Sequence, residues 1–467
     1  MPVKYSLSHV LFYVFLALLV WLPIPLGSNR PWAWSLLEFI TFVLLLGCIA
    51  VFRHRPYLGL THFRAPLLCW LLFLLIALLQ ITPLPSGVVN LISPHSVAAS
   101  NLHITAFTYL SVDVGQSQIA LLKSAAYFSL FICSLLLIDT EQRIKQTLLV
   151  MVVSGTFQAL YGVLEILSDT PYSLVFNLPV AESASGSFVY KNHFANYLML
   201  CLSAGMGLIV SSLQANVSQS ARAWSRTILT LLLGNKALIR ISLAIMVIGL
   251  VMSHSRMGNT AFFAALTLIG CIALALDKRR SRALSWLVVS MLVIDLLIVS
   301  AWFGLDKVQQ RLSETSLAHE SRDEVLLDSL PMVLDFPVFG GGGGSYYGLF
   351  PSFKVSDTQA FYDHAHNDYL QFLIEYGALG FLPLAIFVCY CFYHALLSLK
   401  NRHHPTLKGT AFAACMACFG MLIHMSVDFP LQAPANAAYF VVFLALALIS
   451  QSLKIMKTSR LSGNKTH

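Results

Sequence analysis

Charge is what this sequence has least of. Only 11% of its 467 residues are Asp, Glu, Lys or Arg, against about 25% in a soluble chain. Hydrophobic residues make up 57%, and mean hydropathy is +0.74. A water-soluble fold of this length could not cover its surface with so few charges. The same scarcity removes intrinsic disorder, collagen and coiled coils. The nine cysteines sit almost wholly within apolar runs and form no framework for outer loops. Cys415 and Cys418 share a helix face at lipid depth and read as packing residues, not a redox or metal pair. His-Glu-x-x-His and Gly-x-Ser-x-Gly are missing, which weakens zinc-peptidase and serine-hydrolase readings.

Long apolar runs are abundant instead. A spanning helix needs roughly 20 such residues. Runs of that kind lie at 9–26, 33–51, 66–82, 117–138, 147–168, 193–212, 237–252, 259–276, 283–303, 367–397, 409–427 and 435–453. They are continuous rather than alternating, so helices and not barrel strands are expected. The expected fold class is therefore an all-α polytopic membrane protein of about twelve transmembrane helices. Spans one to nine occupy 1–302, an outer loop 303–366, spans ten to twelve 367–453, and a basic tail 454–467.

Lys and Arg orient the spans. With a cytoplasmic N-terminus, alternate loops are basic: Arg53, Arg55 and Arg64; Arg143 and Lys145; Arg222 to Arg240; Lys278 to Arg282; Lys400 to Lys408; and the tail from Lys454. The outward stretch from Pro83 to Leu122 has neither residue. Both termini are expected in the cytoplasm. Cytoplasmic loops account for most of the net charge of +8, so membrane lipid rather than nucleic acid is the implied partner. The first run lacks a small-residue cleavage site and reads as a retained helix.

Three outward cations close to span ends break the bias. They are Arg30 in Pro23–Pro31, Lys191 beside Asn192 and His193, and Arg256 in Ser253–Gly258. Singly, each reads as an interfacial side chain. Together, beside Asn, Ser and His donors, they suggest an anion site at the outer surface.

The largest outward segment runs from about Phe303 to Asp363. An amphipathic stretch, Lys307 to Asp335, predicts one or two surface helices. Gly340–Gly344 lacks the Gly-Lys-Ser/Thr ending of a phosphate loop. It reads either as a linker or as a hinge for an aromatic cover. The chain then re-enters the membrane through Asp363-His-Ala-His-Asn-Asp, the densest polar cluster beside a span. On a helix Asn367, Gln371 and Glu375 form one stripe, which His364 joins if the helix includes it while His366 points elsewhere. A second outward turn, His424–Pro434, carries Asp428, which reads as a histidine or sugar partner or as a helix cap. His-x-His invites a metal site with Asp428 as third ligand, but the remaining acids do not converge. Lys123, Glu165 and Asp295 read as ion-pairing residues inside the bundle.

Two readings remain. One is an enzyme acting on a lipid-linked anionic substrate, with cations on a pyrophosphate and a histidine base. The other is a transporter or flippase, which twelve spans suit but which a lack of repeats and of midplane polar residues disfavours.

The sequence resembles the O-antigen ligase and polymerase superfamily of bacterial envelope enzymes. Three features carry the likeness: His366-Asn367 followed by Gly377 and Gly380, Ser-x-Ser-Arg-x-Gly at Ser253–Gly258, and Asn192–Ala195. Pro25–Trp32 is similar to the opening of relatives from exopolysaccharide or O-antigen assembly. The resemblance implies a GT-C-like, metal-independent glycosyltransferase without a cofactor. Its donor would be an undecaprenyl-pyrophosphate-linked glycan and its acceptor a glycolipid, the lipid A–core, or another lipid-linked repeat in a polymerase. The implied place is the bacterial inner membrane, with the active site facing the periplasm. A protein O-glycosyltransferase would normally bring a further outer domain. His366 would be the base and Arg256 the pyrophosphate contact, assisted by Lys191 and Arg30. Asn192, His193, His364, Asn367 and Asp428 would line the substrate site. The helical stripe favours His364 and the motif favours His366, a conflict that a helix starting at Asn367 removes.

Overall fold

The computed structural model describes residues 2–53, 56–99, 106–168, 170–173, 175–179, 182–212, 235–276, 289, 293, 324–355 and 362–454. The first half holds helices α1 (Pro2–Trp21), α2 (Pro31–Phe52), α3 (Arg64–Gln80), the short α4 (Ser86–Ile92) and α5 (Pro94–Ala99), and α6 (Val114–Leu137). Then come α7 (Glu141–Leu167), α8 (Lys191–Ser212), α9 (Asn235–Met252) and α10 (Arg256–Leu276). Helix α11 runs over 324–335, followed by α12 (Asp368–Asn401), α13 (Pro405–Met425) and α14 (Pro434–Ser452). Among the described residues nine helices are long and apolar enough to cross a membrane, and α1 and α9 hold the shorter apolar stretches Leu7–Trp21 and Ala237–Met252. The expected span 283–303, with Asp295, lies outside the described residues apart from helical residue 293 and residue 289, and so do 303–323 of the outer loop and the tail from 455. The chain is thus an all-helical polytopic membrane protein. Its one two-stranded sheet among the described residues pairs Leu84–Pro85 with Phe107–Thr108, and Tyr172 and Pro179 form an isolated antiparallel bridge.

Local chemistry sets several helix starts. Pro31, Pro405 and Pro434 occupy first helical positions, where a missing N–H loses no bond. Asp113, Thr140 and Asn367 cap α6, α7 and α12 through side-chain oxygens, satisfying N–H groups that would otherwise stay unpaired in lipid.

Helices α8 and α14 are buried almost all round and form the centre of the bundle. Helices α2 and α3 instead expose apolar faces, Phe39 and Leu46 on one and Leu68 and Leu75 on the other, as lipid-facing helices do. Apolar burial does little to drive association within lipid, so close backbone approach carries the packing. The α8–α13 pair shows it. A side chain on Gly207 or Gly409 would run into the other's backbone, and one on Gly420 into Met199. The pair is antiparallel, because Asn196 on α8 meets His424 on α13 at 3.1 Å while the glycine contact lies a few turns deeper.

Helix α12 is broken at Gly377 (φ +58°, ψ −173°), a conformation open essentially to glycine alone. The preceding loop fills the break. Gly341 and Gly342 donate N–H bonds to Ile374 and Glu375 carbonyls at 2.8 and 2.9 Å. Pro337 and Val338 carbonyls accept from Ala378 and Leu379 at 2.9 and 3.1 Å. Fully buried Gln80 pins the junction, donating to the Phe339 and Glu375 carbonyls at 2.6 and 2.8 Å and accepting from Gly343 N–H at 3.2 Å. The glycine run is therefore neither linker nor hinge. It is a seated strand of backbone whose Gly340 has no room for a Cβ against Glu375.

Candidate active site

Successive spanning helices run in opposite directions, so alternate turns share an end of the bundle. One end carries Arg53, Lys145, Arg402 and Lys408. The other carries the turn before α2, the segment before α8, the turn before α10, the start of α12 and the α13–α14 turn. Every residue expected in the site lies at this second end.

Asp428 is at its centre, with only 1% of its surface exposed. Its carboxylate accepts from the Asn192 side-chain amide and, at 3.0 Å, from the Phe429 N–H. His366 Nδ1 and His424 Nε2 each lie 3.9 Å from a carboxylate oxygen, an ion-pair separation rather than a hydrogen bond. Phe429 beside it is ringed by aromatics. The His364 ring stacks on it at 4.4 Å and Tyr190 at 5.5 Å, while His193 and His366 meet it edge-on at 4.9 Å.

The start of α12 is stitched to the α13–α14 turn. Asn367 Oδ1 accepts from Leu370 N–H at 3.0 Å, and its Nδ2 donates to the Ser426 carbonyl at 2.8 Å. Asp368 donates its N–H to the Asp428 carbonyl at 3.2 Å and accepts from Leu431 N–H at 3.0 Å. These bonds bring His366 to Asp428 and hold its backbone at φ +50°. A left-handed non-glycine residue costs on the order of 1–3 kcal/mol and persists only where its surroundings over-determine it. Asn367, expected as a substrate contact, is engaged at both ends of its side chain in this framework.

His364 lies outside the helix, yet it meets the expected stripe. Gln371 Nε2 bridges His364 Nδ1 at 3.1 Å and Glu375 Oε1 at 3.0 Å. Burial pushes the His364 imidazole down from its ordinary value, against the opposing pull of Asp363 and of the bond to Gln371, and Lys123 adds to the push.

The three outward cations share a position. Arg30 immediately precedes α2, Lys191 opens α8 and Arg256 opens α10. A helix N-terminus carries partial positive charge and disfavours cations by about 0.3–1 kcal/mol. All three placements lie at the same end of the bundle. One segment, 183–190, ties them together. Ser187 Oγ donates to the Pro23 carbonyl at 2.6 Å, reaching the Arg30 turn. Ala184 N–H donates to the Met252 carbonyl at 2.9 Å, reaching the turn before Arg256. The segment itself ends at Lys191. Ser255 caps the α10 start through Gly258 N–H at 3.1 Å, and Gly258 packs on Ala195 of α8. Arg30 and Arg256 stand exposed at the rim, Lys191 is half-buried, and Asn192 and His193 lie buried beneath them.

Among the described residues no group of three His, Cys, Asp or Glu side chains is arranged to hold a metal ion. His366, His424 and Asp428 nevertheless adjoin one another, so the arrangement is one of histidines sharing a carboxylate. Lys123 lies 3.8 Å over the Trp34 ring and also interacts electrostatically with Glu38 and Glu375, so a cation–π contact joins the expected ion pairing. Sequence reasoning missed Phe429, His424, Gln80 and Tyr190. His424 and Asp428, four residues apart at the end of α13, carried the one readable signal.

No curated protein matches the chain. Residues 241–385 match the model of the O-antigen ligase family. That stretch holds Arg256, the seated glycine run, His364, His366 and the Gly377 break. This match supports a likeness of that part of the chain to the O-antigen ligase family of membrane glycosyltransferase-like enzymes.

Proposed function

We propose that this protein is an O-antigen ligase-type glycosyltransferase. It moves a glycan from undecaprenyl pyrophosphate to a sugar of the lipid A–core, at the periplasmic face of the bacterial inner membrane. The observation that carries the reading is the His366–Asp428 pair, set in a buried cluster at the same end of the bundle as three cation-bearing helix starts. A carboxylate beside an imidazole orients it and stabilises its protonated form. His366 takes the proton of the acceptor hydroxyl as that oxygen attacks the anomeric carbon. The bond from that carbon to the pyrophosphate oxygen breaks, and the electron pair leaves with the diphosphate. One direct displacement inverts the anomeric configuration. Arg256, Lys191 and Arg30 neutralise the developing charge, so the reaction needs no metal. His193, His364 and Asn192 line the acceptor side, while Asn367 acts through the framework that places His366. The basic turns at the opposite end agree with a cytoplasmic placement of both termini.

The test is reconstitution of the full chain with an undecaprenyl-pyrophosphate-linked glycan and a lipid A–core acceptor. Glycan on the core, lost in His366→Ala, is the expected product. Joining of one lipid-linked repeat to another would make the protein a polymerase, and movement of unaltered donor across the bilayer would make it a flippase.

A further inference from the structure

Helices α4, α5 and α11 belong to the outer segments, yet their exposed positions hold no Asp, Glu, Lys or Arg. On α11 the exposed side chains are Leu327, Leu330, Pro331 and Leu334, and Leu334 is 79% exposed. Their three- and four-residue spacing makes one stripe along the helix. The opposite face is apolar as well, with Val325, Met332 and Phe336 buried. Asp328 turns to the Val355 N–H at 3.2 Å and Asp335 to His95 of α5 at 3.5 Å. The second contact joins α5 to α11 as one surface. Helix α4 adds Val88 and Leu91, the latter 83% exposed. From Ile81 to Val112 the sequence has no Asp, Glu, Lys or Arg. Such faces suit lipid and not water.

Hydrogen bonds fix how deep this surface lies. Gln80 ends α3 and donates to the Glu375 carbonyl, seven residues into α12, so roughly 10 Å below the α12 start. The chain beyond α11 reaches lower still, because the Val338 carbonyl accepts from Leu379 N–H at 3.1 Å. Leu379 is itself exposed and opens the row Leu379, Leu382 and Ile386 that faces outward along α12. The α11 stripe therefore continues, through exposed Val338, into the outward row of a spanning helix. Helix α3, which likewise exposes Leu75 and Leu78, leads into α4.

We propose that α4, α5 and α11 form one interfacial surface seated in the outer leaflet of the bilayer, with phospholipid acyl chains against Leu91, Leu334 and Val338. Lipid is the occupant this surface fits, because the outward rows of α3 and α12 that it continues are those of lipid-facing helices. Interfacial helices are held in proportion to the apolar area they bury. The His95–Asp335 pair, half-exposed on both sides, marks the edge toward water. The seat holds more than the three helices. Val112 N–H donates to the Gly341 carbonyl at 2.8 Å and Ser111 N–H to the Gln80 carbonyl at 3.0 Å. Both outer segments thus end on the seated glycine run. Lipid thereby steadies the backbone that fills the α12 break, whatever reaction the site performs.

The experiment places the photocrosslinking amino acid p-benzoylphenylalanine at single positions of the full chain, held in nanodiscs of phosphatidylethanolamine and phosphatidylglycerol. Leu334 and Leu91 are the test positions. Ile386, on the outward row of α12, is the lipid reference, and exposed His403, between α12 and α13, is the water reference. After irradiation, intact masses should show phospholipid adducts at Leu334 and Leu91 in yields like that at Ile386, and about ten-fold or more above His403. A crosslink to a second copy of the chain would make the surface a subunit interface and overturn the proposal. So would the absence of lipid adducts at either test position. Leu334→Asp supplies an independent readout, hydrogen exchange over 339–344. In lipid the acid should speed that exchange by about ten-fold or more relative to Leu334→Phe. On a watery face the acid is harmless, so equal exchange in the two variants would also overturn the seat.

Discussion

Asn192, in the first turn of α8, donates its side-chain amide to the buried carboxylate of Asp428 just beyond α13. The two residues are 236 apart in sequence, yet their bond fixes the carboxylate facing His366 on one oxygen and His424 on the other. A neutral donor orients the group without cancelling its charge, leaving that charge for the imidazoles. Asp428→Asn keeps the shape and removes the charge. We expect glycan transfer to fall by about 10²-fold or more, the scale of a lost acid–base partner, with the protein still in the membrane. Full transfer by this variant would detach Asp428 from the chemistry.

The two histidines of the His-x-His pair separate in their surroundings. His366 faces Asp428, whereas His364 is held by Gln371 and stacked on Phe429. His366→Ala should therefore lower turnover by about 10²–10⁴-fold, and His364→Ala should chiefly raise the acceptor KM. Single-turnover rates at saturating acceptor distinguish them. Rates that drop equally in both would transfer the base assignment to the pair.

Arg256 opens α10 against the preference of a helix N-terminus, and in the proposed reaction it contacts the pyrophosphate. Arg256→Ala should raise the donor KM by about ten-fold, and Arg256→Lys should recover part of it. An unchanged donor KM and turnover would remove the pyrophosphate role. Chelator should not alter either rate, and a loss restored by magnesium would return a metal to the mechanism.

Nine of the expected spans were legible because lipid imposes a length and composition that few other constraints imitate. Arg30, Lys191 and Arg256, picked out for standing against the charge bias, share one end of the bundle with the His366–Asp428 pair. The seated glycine run was not legible. Five glycines in an aromatic loop carry the composition of a linker, and what fixes them is Gln80, whose contacts lie 259 and 295 residues away. Phe429 was hidden for a related reason. A phenylalanine after a helix is ordinary in sequence, and only the meeting of three helix ends surrounds it with histidines. Asn367 shows the converse, since an Asn directly before a helix is a cap by local rules alone, and the motif drew attention to chemistry instead.

Gly377 joins the two halves of α12 at a left-handed φ, with a Cβ there running into the Val338 backbone. Gly377→Ala should destabilise the fold by about 1–3 kcal/mol from the conformation alone. It should also loosen the loop that leads to His366. Thermal unfolding in detergent measures the first effect and hydrogen exchange over 337–345 the second. A variant with unchanged melting temperature and exchange would show that the break does not hold the loop.

His364 supplies a pH dependence whose sign follows from its surroundings. Burial holds its folded-state value below the ordinary one, with Asp363 and Gln371 opposing and Lys123 reinforcing. Below about pH 6.5 the unfolded chain takes up a proton at this position that the folded chain refuses. Stability contributed by the neutral ring is thus complete near neutral pH and drains away as pH falls through the interval between the two values. His364→Gln keeps a partner for Gln371 and cannot titrate, so its melting temperature should decline less than that of the unsubstituted chain between about pH 7.5 and 5.5. Parallel declines would mean that the ring is protonated as readily in the folded protein as in the unfolded one. The neutral form is also the one that accepts hydrogen bonds from a sugar hydroxyl or from Gln371, so acceptor KM should hold steady while stability declines over that interval and rise only at still lower pH, where the folded ring takes up its own proton.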